Sequence, residues 1–521
     1  MRHIVLINPR FDPSYWGMEY ALPIVRKRSA MPVAALPLLA ALTPPEYRIT
    51  IVDENVDRLD YDSVARADLV ALTGMSVQRR RMTEILTELK RRGVFTVVGG
   101  PWVTVKEDYF GSLADAIFVG EAEESWPRFL ADWSAGRHHR RYEQAEKTDM
   151  SRVPLPRYDL LKMQHYLFGS IQLSRGCPFQ CEFCDIIVTF GRRPRFKTIG
   201  QVLAELDELK RQKMEIVFIV DDNLIGNRQF IRSALPEIIA WQKRNGFPFI
   251  FAAEASLDLA EEDDIMRMMI EANILSVFIG IESPNEEALR ETKKFQNLSK
   301  KIDLLARVHT VQKAGLEVWC CMILGFDHDD ASIFRWQSEF LAKSRITEAM
   351  IGMLYAIPTT PLYARLAKEG RLDSADTSES GTNVLPLKMS REELSAGYVD
   401  LMRTVYQPDA YFARLEEFLS TETYQFAPGH AAYLRHHPAA RLFAEARCLL
   451  GAAFLFWQLM RHVRDPLLRK EYRARLRGAI ARRRQPALWL AYALKCAMHY
   501  HFFAMANQTP TGSGGVVNSY Q

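Results

Sequence analysis

The sequence of 521 residues is poor in cysteine, nearly balanced in charge and without a long apolar run near its start. Its seven cysteines are an odd number, and three of them fall within eight residues, which argues against a disulfide framework and for a reducing compartment. The net charge of +4 is too small to indicate nucleic-acid binding by itself. The apolar stretch at residues 4–7 is too short for a signal peptide. We therefore expect a cytoplasmic protein with no nucleic-acid partner.

The chain is long enough for two or three domains, and its 48% hydrophobic content allows a large core. Between residues 1 and 135, five short apolar runs alternate with helical patterns. This alternation predicts an α/β domain with a doubly wound parallel sheet, whose ligands bind beyond the carboxyl ends of the strands. Residues 136–165 are polar and then rich in proline, which indicates a linker.

A second α/β alternation covers residues 166–365, with six strand candidates separated by helical patterns. Six βα units predict a partial or full βα-barrel, whose active site lies at the carboxyl ends of its strands. Residues 366–507 are mostly helical in pattern and form a predicted accessory region. Residues 508–521 are rich in Gly, Ser and Thr, and we expect them to be disordered.

The three clustered cysteines are Cys177, Cys181 and Cys184, in the spacing C-x3-C-x2-C. Thiolates are the soft ligands of iron–sulfur clusters. Three of them on one short loop would leave the fourth iron of a cubane open to a cofactor or substrate. Zinc is the competing interpretation, but a structural zinc site needs four ligands, and the next histidine after Cys184 is His309. The motif therefore predicts a [4Fe-4S] cluster.

This spacing, with Phe183 before the last cysteine and a strand upstream, resembles the motif of the radical SAM superfamily. The resemblance implies that the open iron binds S-adenosylmethionine and that the site generates a 5′-deoxyadenosyl radical. It also implies cofactor contacts at the ends of the next strands, namely Asp222, Asn223, Glu254, Glu282 and Ser283. The alternative is that these polar residues cap helices or end strands.

The N-terminal region resembles the cobalamin-binding domain of class B radical SAM methylases. The similarity rests on a Gly-Gly-Pro segment at residues 99–101 and on Val-Gly-Glu-Ala-Glu at residues 119–123. Glycine allows close approach to a bulky cofactor. The residues that the resemblance places near cobalamin are Thr73, Gly74, Met75, Val77, Gly99, Gly100, Pro101, Gly120 and Glu121.

One departure concerns the lower ligand of cobalt. The D-x-H-x-x-G signature, which supplies a histidine in the mutases, is absent, and only His3, His138 and His139 precede residue 150. The resemblance to the class B methylases implies cobalamin with no histidine ligand. The alternative is a flavodoxin-like domain that binds no ligand or another nucleotide.

The region after the barrel resembles the accessory part of a subgroup that includes hopanoid C-2 methylases and tetraether lipid cyclases. Ser390 and Glu393 form a capping box, which predicts a helix start. A basic run at residues 464–484 lies between apolar helical stretches at 449–460 and 487–506. These stretches suit either an interfacial helix pair on an anionic membrane or a helical bundle with a solvated basic face.

The combined patterns predict a cobalamin-dependent radical SAM enzyme that methylates an unactivated carbon of a hydrophobic, lipid-like substrate. One alternative is a cyclase, or another C–C bond-forming enzyme, that keeps both cofactors without methyl transfer; another is a non-enzymatic cobalamin sensor. The expected partners are the substrate and a reductase such as flavodoxin or ferredoxin, with peripheral contact at the inner membrane face through the basic region. No catalytic side chain is assigned from the sequence.

Overall fold

The computed structural model describes residues 1–299, 302–373, 381–420, 426–482 and 485–508. The N-terminal domain has six parallel strands in the order β2-β1-β3-β4-β5-β6. These strands are β1 (His3–Asn8), β2 (Arg48–Asp53), β3 (Leu69–Thr73), β4 (Thr96–Gly99), β5 (Ala116–Val119) and β6 (Arg141–Glu143). The helices between them are α1 (Ala35–Leu42), α2 (Tyr61–Val64), α3 (Arg79–Arg91), α4 (Pro101–Val105) and α5 (Ser125–Ser134).

The central strands of this sheet are buried on both faces, as their continuous apolar runs predict. Helices cover each face, so the predicted doubly wound α/β architecture is confirmed. The sixth strand, β6, lies within residues 136–165, which the sequence indicated as linker. Its central residue Tyr142 is 1% exposed and stacks on Phe118. The polar composition around Tyr142 concealed a short edge strand, because only one of its three side chains is buried.

The segment between β1 and α1, residues 10–34, reaches away from the N-terminal domain into the rest of the molecule. Tyr15 stacks on Tyr406 and Phe502. Trp16 meets Phe278 at 5.1 Å between ring centroids. The segment therefore joins the two predicted α/β domains and the C-terminal helices.

The second domain has six parallel strands in the order β14-β13-β12-β11-β10-β7, which confirms the predicted βα-barrel region as a partial barrel. Its strands are β7 (Gly169–Ile171), β10 (Ile216–Ile219), β11 (Ile250–Ala255), β12 (Ile274–Glu282), β13 (Glu317–Leu324) and β14 (Ala349–Met353), with a short antiparallel pair, β8 (Ser174–Arg175) and β9 (Arg195–Phe196). Its helices are α6 (Ile186–Thr189), α7 (Ile199–Arg211), α8 (Arg228–Arg244), α9 (Asp263–Glu271), α10 (Glu286–Glu291), α11 (Leu304–Lys313), α12 (Ser332–Ser344) and α13 (Pro361–Lys368).

The C-terminal region is helical, as predicted. Its helices are α14 (Arg391–Val405), α15 (Pro408–Leu419), α16 (Pro428–Arg435), α17 (Pro438–His462), α18 (Pro466–Arg482) and α19 (Pro486–Gln508). The Ser390–Glu393 capping box is present at the start of α14. Each of α15 to α19 begins with proline, which suits the first helical position because the N–H there has no intrahelical partner. Apart from Gln508, which ends α19, the predicted disordered tail 508–521 lies outside the described residues.

Candidate active site

A single large cavity brings the predicted sites of both α/β domains together. Its volume is about 2140 Å³, whereas ordinary small-molecule pockets measure about 300–1,000 Å³. Its wall includes Met75 and Pro101 of the N-terminal domain, the cysteine loop, and polar side chains at the carboxyl ends of the barrel strands. The cavity has room for more than one ligand.

The cysteine loop is held in place by two aspartates that follow β10. The carboxylate of Asp221 accepts hydrogen bonds from Leu173 N and Ser174 Oγ, both at 2.6 Å. Asp222 accepts one from Gly176 N at 2.6 Å. These contacts fix the chain immediately before Cys177 to the end of the neighbouring strand.

Cys177, Cys181 and Cys184 are free thiols, and all three line the cavity. Burial raises the pKa of Cys177 to about 11 and that of Cys184 well above its usual value. Soft sulfur ligands in this number and spacing fit an iron–sulfur cluster. Gln296 Nε2 lies 3.3 Å from Cys181 Sγ and supplies a donor to this sulfur.

A buried ion pair stands beside the cysteine loop. Lys294 Nζ donates to Glu282 Oε1 at 2.7 Å and lies 5.8 Å from the centre of the Phe183 ring. Gly280 makes room for the pair, since a Cβ at this position would lie 2.7 Å from Lys294 Nζ. Glu282 and the neighbouring thiols raise the pKa of Lys294 although burial opposes them, so the ammonium keeps its charge.

Four of the predicted S-adenosylmethionine contacts, Asp222, Asn223, Glu254 and Glu282, line the same cavity as the three thiols. Burial raises the pKa of Asp222 to about 7 and that of Glu254 to about 8. Glu282 Oε2 is buried without a hydrogen-bond partner among the described residues. An unsatisfied carboxylate oxygen in such a site suits the ammonium group of an amino-acid ligand, so this wall fits S-adenosylmethionine.

Asn223 and Ser283 have structural partners of their own. Asn223 Nδ2 donates to Ser256 Oγ at 2.9 Å, which ties the ends of β10 and β11 together. Ser283 is fully buried, does not line the cavity, and accepts a hydrogen bond from Asn285 N at 3.1 Å. For Ser283 the strand-end alternative therefore accounts for the side chain, and its cofactor contact stays a prediction.

The residues predicted to approach cobalamin cluster at the carboxyl edge of the N-terminal sheet. Thr73 and Gly99 end neighbouring strands, and Gly100 has a φ of +95°. A Cβ on Gly100 would lie 2.4 Å from Thr73 Oγ1 and 2.9 Å from Gly74 N, so only glycine permits this close approach of two loops. Met75 and Pro101 line the cavity. The other predicted residues lie outside its wall, namely Thr73, Gly74, Val77, Gly99, Gly100, Gly120 and Glu121.

Glu121 has a structural role that the sequence did not suggest. Its carboxylate accepts hydrogen bonds from Arg175 at 2.9 Å and from Arg195 at 3.0 Å. Both arginines belong to the β8–β9 pair that flanks the cysteine loop. The glutamate of the Val-Gly-Glu segment therefore joins the two α/β domains, and a cofactor contact for it stays a prediction.

Alternate residues of the barrel strands face its lumen in layers. The middle of the lumen is apolar, with Phe218, Ala252, Phe278 and Trp319 in the cavity wall. The layer above contains Val220, Glu254 and Cys321. Cys320, the neighbour of Cys321, is fully buried in the core on the other face of β13, as the alternation of strand side chains requires.

Sequence reasoning missed several residues of the cavity wall. Lys294 and Gln296 follow α10 and carry no motif. Arg10, Trp16 and Glu19 lie in the segment between β1 and α1, where the sequence indicated nothing beyond the first domain. The sequence signal for a buried role of this segment was its content of apolar and aromatic residues, which is unusual for a loop on the protein surface.

Comparison with known proteins identifies the family. Residues 171–335 match the model of the radical SAM superfamily, and residues 360–513 match a domain of unknown function, DUF4070. The chain is 35% identical to the hopanoid C-2 methylase of Rhodopseudomonas palustris, over 84% of this chain and 81% of that protein. It is 37% identical to an uncharacterized methyltransferase of Synechocystis, over 79% of this chain and 77% of that protein.

Solved structures support the fold. The cobalamin-dependent S-adenosylmethionine radical enzyme OxsB, with aqua-cobalamin bound, superposes with a TM-score of 0.60 at 13% identity, over 97% of this chain and 84% of that chain. The radical S-adenosylmethionine methyltransferase TsrM of Kitasatospora setae gives a TM-score of 0.55 at 17% identity, over 71% and 75% of the two chains. The cysteine motif, the partial barrel and these relatives agree. The chain belongs to the radical SAM superfamily, in the family that contains the hopanoid C-2 methylase.

Proposed function

We propose that this radical SAM enzyme depends on cobalamin and methylates an unactivated carbon of a lipid-like substrate. The observation that carries the proposal is the continuous cavity. It is bounded by Met75 and Pro101 at the carboxyl edge of the N-terminal sheet, by the three thiols, and by an apolar lumen. The two related proteins named as a methyltransferase and a hopanoid methylase support the same reaction type.

The cofactors supply the difficult chemistry when bound: the cluster and S-adenosylmethionine provide a hydrogen-abstracting radical, and the corrinoid provides the methyl group. The chain's own residues hold and isolate these groups. Cys177, Cys181 and Cys184 would ligate the cluster, and Glu282 would accept hydrogen bonds from the amino group of S-adenosylmethionine. Met75 and Pro101 would lie against the corrinoid. The aromatic side chains of the lumen exclude water from the reacting carbon.

The test is anaerobic purification, iron, sulfide and cobalt analysis, and a reductive assay with methyl-labelled S-adenosylmethionine and a hopanoid. We expect labelled product, with S-adenosylhomocysteine and 5′-deoxyadenosine formed together. Alanine variants of Cys177, Cys181 or Cys184 should form no 5′-deoxyadenosine, whereas Cys496→Ala, far from the loop, should still form it. A modified lipid without label and without S-adenosylhomocysteine would support the cyclase alternative instead.

We also propose that an acidic electron carrier, such as flavodoxin or ferredoxin, docks beside the cysteine loop. Arg192 and Arg193 are exposed there, and Arg192 Nη2 donates to Pro178 O at 3.1 Å within the loop. Complementary charge raises association rates and makes them sensitive to salt. Replacing both arginines with glutamate should slow turnover driven by flavodoxin but leave turnover driven by dithionite unchanged.

We also propose that this cytoplasmic protein contacts the inner face of the membrane. The contacting surface differs from the basic run and its flanking stretches, which the sequence suggested. The stretch 487–506 lies in α19 and is largely buried, and two arginines of the basic run, Arg475 and Arg482, pair with Glu416. α17 is instead exposed and, by length and composition, apolar enough to cross a membrane. Leu442, Phe443 and Leu450 are each at least 70% exposed.

The spacing of these side chains places them on one broad face of α17, with Arg435, Arg441 and Arg447 nearby. Such a face suits shallow insertion into an anionic membrane surface. Sedimentation with phosphatidylglycerol vesicles tests this. Leu442→Glu with Phe443→Glu should abolish binding, whereas Leu467→Glu, at an exposed leucine outside α17, should not. Wild-type protein that stays in the supernatant would contradict the contact.

A further inference from the structure

The barrel lumen is open at the end opposite to the cysteine loop. Glu215 and Phe247 precede β10 and β11, Glu317 begins β13, and all three line the same cavity as the cysteines. The cavity therefore passes the full height of the parallel sheet. Its lower end lies at the amino-terminal edge of the strands, remote from the predicted cofactor contacts.

Helices α16, α17 and α19 surround this lower end. The ring of His430 on α16 stacks on Phe247 at 6.0 Å, and Arg447 on α17 pairs with Glu215 at 2.8 Å. Ala444 and Cys448 of α17 line the cavity directly. The exposed apolar half of α17 thus stands beside the lower opening.

The polarity of the wall changes along the lumen. Its middle is formed by the apolar layer of Phe218, Ala252, Phe278 and Trp319. At the lower end Lys495 Nζ pairs with Glu317 and, at 2.9 Å, with Glu348. A molecule with one apolar and one polar end matches this gradient when its apolar end points toward the cysteine loop, because the charged groups then keep polar neighbours.

The upper end offers no comparable path. Asp222, Glu254 and the cysteine loop occupy it, and these are predicted contacts of the cluster and of S-adenosylmethionine. A hydrocarbon that entered there would remove further solvent from groups that need polar partners. At the lower opening the charged side chains are paired with one another, Arg447 with Glu215 and Lys495 with Glu317 and Glu348. These groups therefore keep polar partners when a hydrocarbon passes them.

We propose that the lipid enters through the lower opening between α16, α17 and α19, with its apolar end first. This inference rests on the proposed function and adds a route and an orientation. The methylated carbon then belongs to the end of the lipid that is remote from its polar group, and the C-terminal helices act as the passage from the membrane surface.

The test narrows the opening without touching the cofactor sites. Ala444→Trp places an indole in the cavity wall, and Ala446→Trp places one on the same helix at an exposed position outside the wall. Both variants should match the wild type in helix content and in 5′-deoxyadenosine formed without lipid. Ala444→Trp should lower kcat/KM for a hopanoid by at least about tenfold, whereas Ala446→Trp should not.

A second measurement does not depend on turnover. A hopanoid hydrocarbon in mixed micelles should protect Cys448 of the wild-type holoenzyme from maleimide, as located by mass spectrometry, and Ala444→Trp should abolish the protection. Unprotected Cys448, or equal kcat/KM for both tryptophan variants, would overturn the route. With a hopanoid that carries a polar side chain as substrate, label found next to the polar end of the product would overturn the orientation. Protection without any methylation would retain the route and contradict the proposed function.

Discussion

Arg175, two residues before Cys177, donates a hydrogen bond at 2.9 Å to Glu121, which follows the last long strand of the N-terminal sheet. The side chains are 10% and 1% exposed, so the pair is buried between the two α/β domains. Arg175 also meets Glu123 at 2.6 Å. Through these contacts the position of the cysteine loop is coupled to the edge of the N-terminal sheet at which we propose that cobalamin binds.

Breaking this pair should be costly. Glu121→Ala leaves Arg175 and Arg195 buried with one carboxylate fewer, and we expect a loss of about 3–5 kcal/mol in the free energy of unfolding. Urea denaturation under anaerobic conditions measures it. Glu107→Ala is the control, because the Glu107–Arg141 pair is exposed and worth about 0–1 kcal/mol. Equal losses in the two variants would show that Glu121 does not join the domains.

The Gly100 turn should tolerate no side chain. Gly100→Ala forces a Cβ to within 2.4 Å of Thr73 Oγ1 at a φ of +95°, and we expect about 1–3 kcal/mol of destabilisation, with weaker retention of cobalamin. Thermal unfolding and the visible absorption of bound cobalamin measure the two effects. Gly111→Ala is the matched control, since Gly111 also has a positive φ but no atom within 4 Å of the added Cβ. If both variants bind cobalamin like the wild type, the edge at Gly100 does not hold the cofactor.

The positive charge of Lys294 should raise the reduction potential of the cluster. Lys294→Met removes a buried positive charge that interacts with Cys181 and Cys184, and it leaves Glu282 without its partner. Reduction adds an electron to the cluster, so loss of the nearby cation should make its reduction potential more negative. Redox titration followed by electron paramagnetic resonance measures the shift. Lys294→Arg should restore most of it, and an unchanged potential in Lys294→Met would contradict this role.

Two buried histidines should make the C-terminal helices sensitive to acid. Burial lowers the pKa of His499 to about 3 and that of His501 to about 4. His499 Nε2 faces the Tyr406 carbonyl at 3.1 Å and Nδ1 lies 2.6 Å from Tyr472 Oη, so the neutral ring donates through Nε2 and accepts the hydroxyl.

The sign of the pH dependence follows from these lowered values. Unfolded histidine titrates near 6.5, so the stability that neutral His499 contributes is complete above pH 6.5 and is lost as the pH falls toward about 3. Urea midpoints between pH 7.5 and 4.5 should fall less steeply for His499→Gln than for the wild type. His436→Gln, at an exposed histidine, should keep the wild-type slope. A wild-type slope in His499→Gln would assign the acid sensitivity to other groups.

The sequence by itself determined the local features. The cysteine spacing, the two series of short apolar runs and the Ser390–Glu393 capping box each depend on neighbours within a few residues. The strands and the helix start that they predict are therefore found where the sequence places them, and the cysteine spacing brings three free thiols onto one loop. The same locality explains what the sequence did not show. β6 has one buried side chain, too few to show a pattern, and the arginine partners of Glu121 are distant in the sequence.

Only the tertiary structure decided which side chains share the cavity. Lys294, Gln296 and Trp16 reach the cysteine loop or the lumen through contacts between elements far apart in the sequence, and no periodicity records such contacts. The direction of the alternating strand residues, inward for Cys321 and outward for Cys320, depends on which face of β13 closes the barrel. The lower opening likewise exists only because α16, α17 and α19 assemble below the strands, where the packing of separate helices leaves a passage.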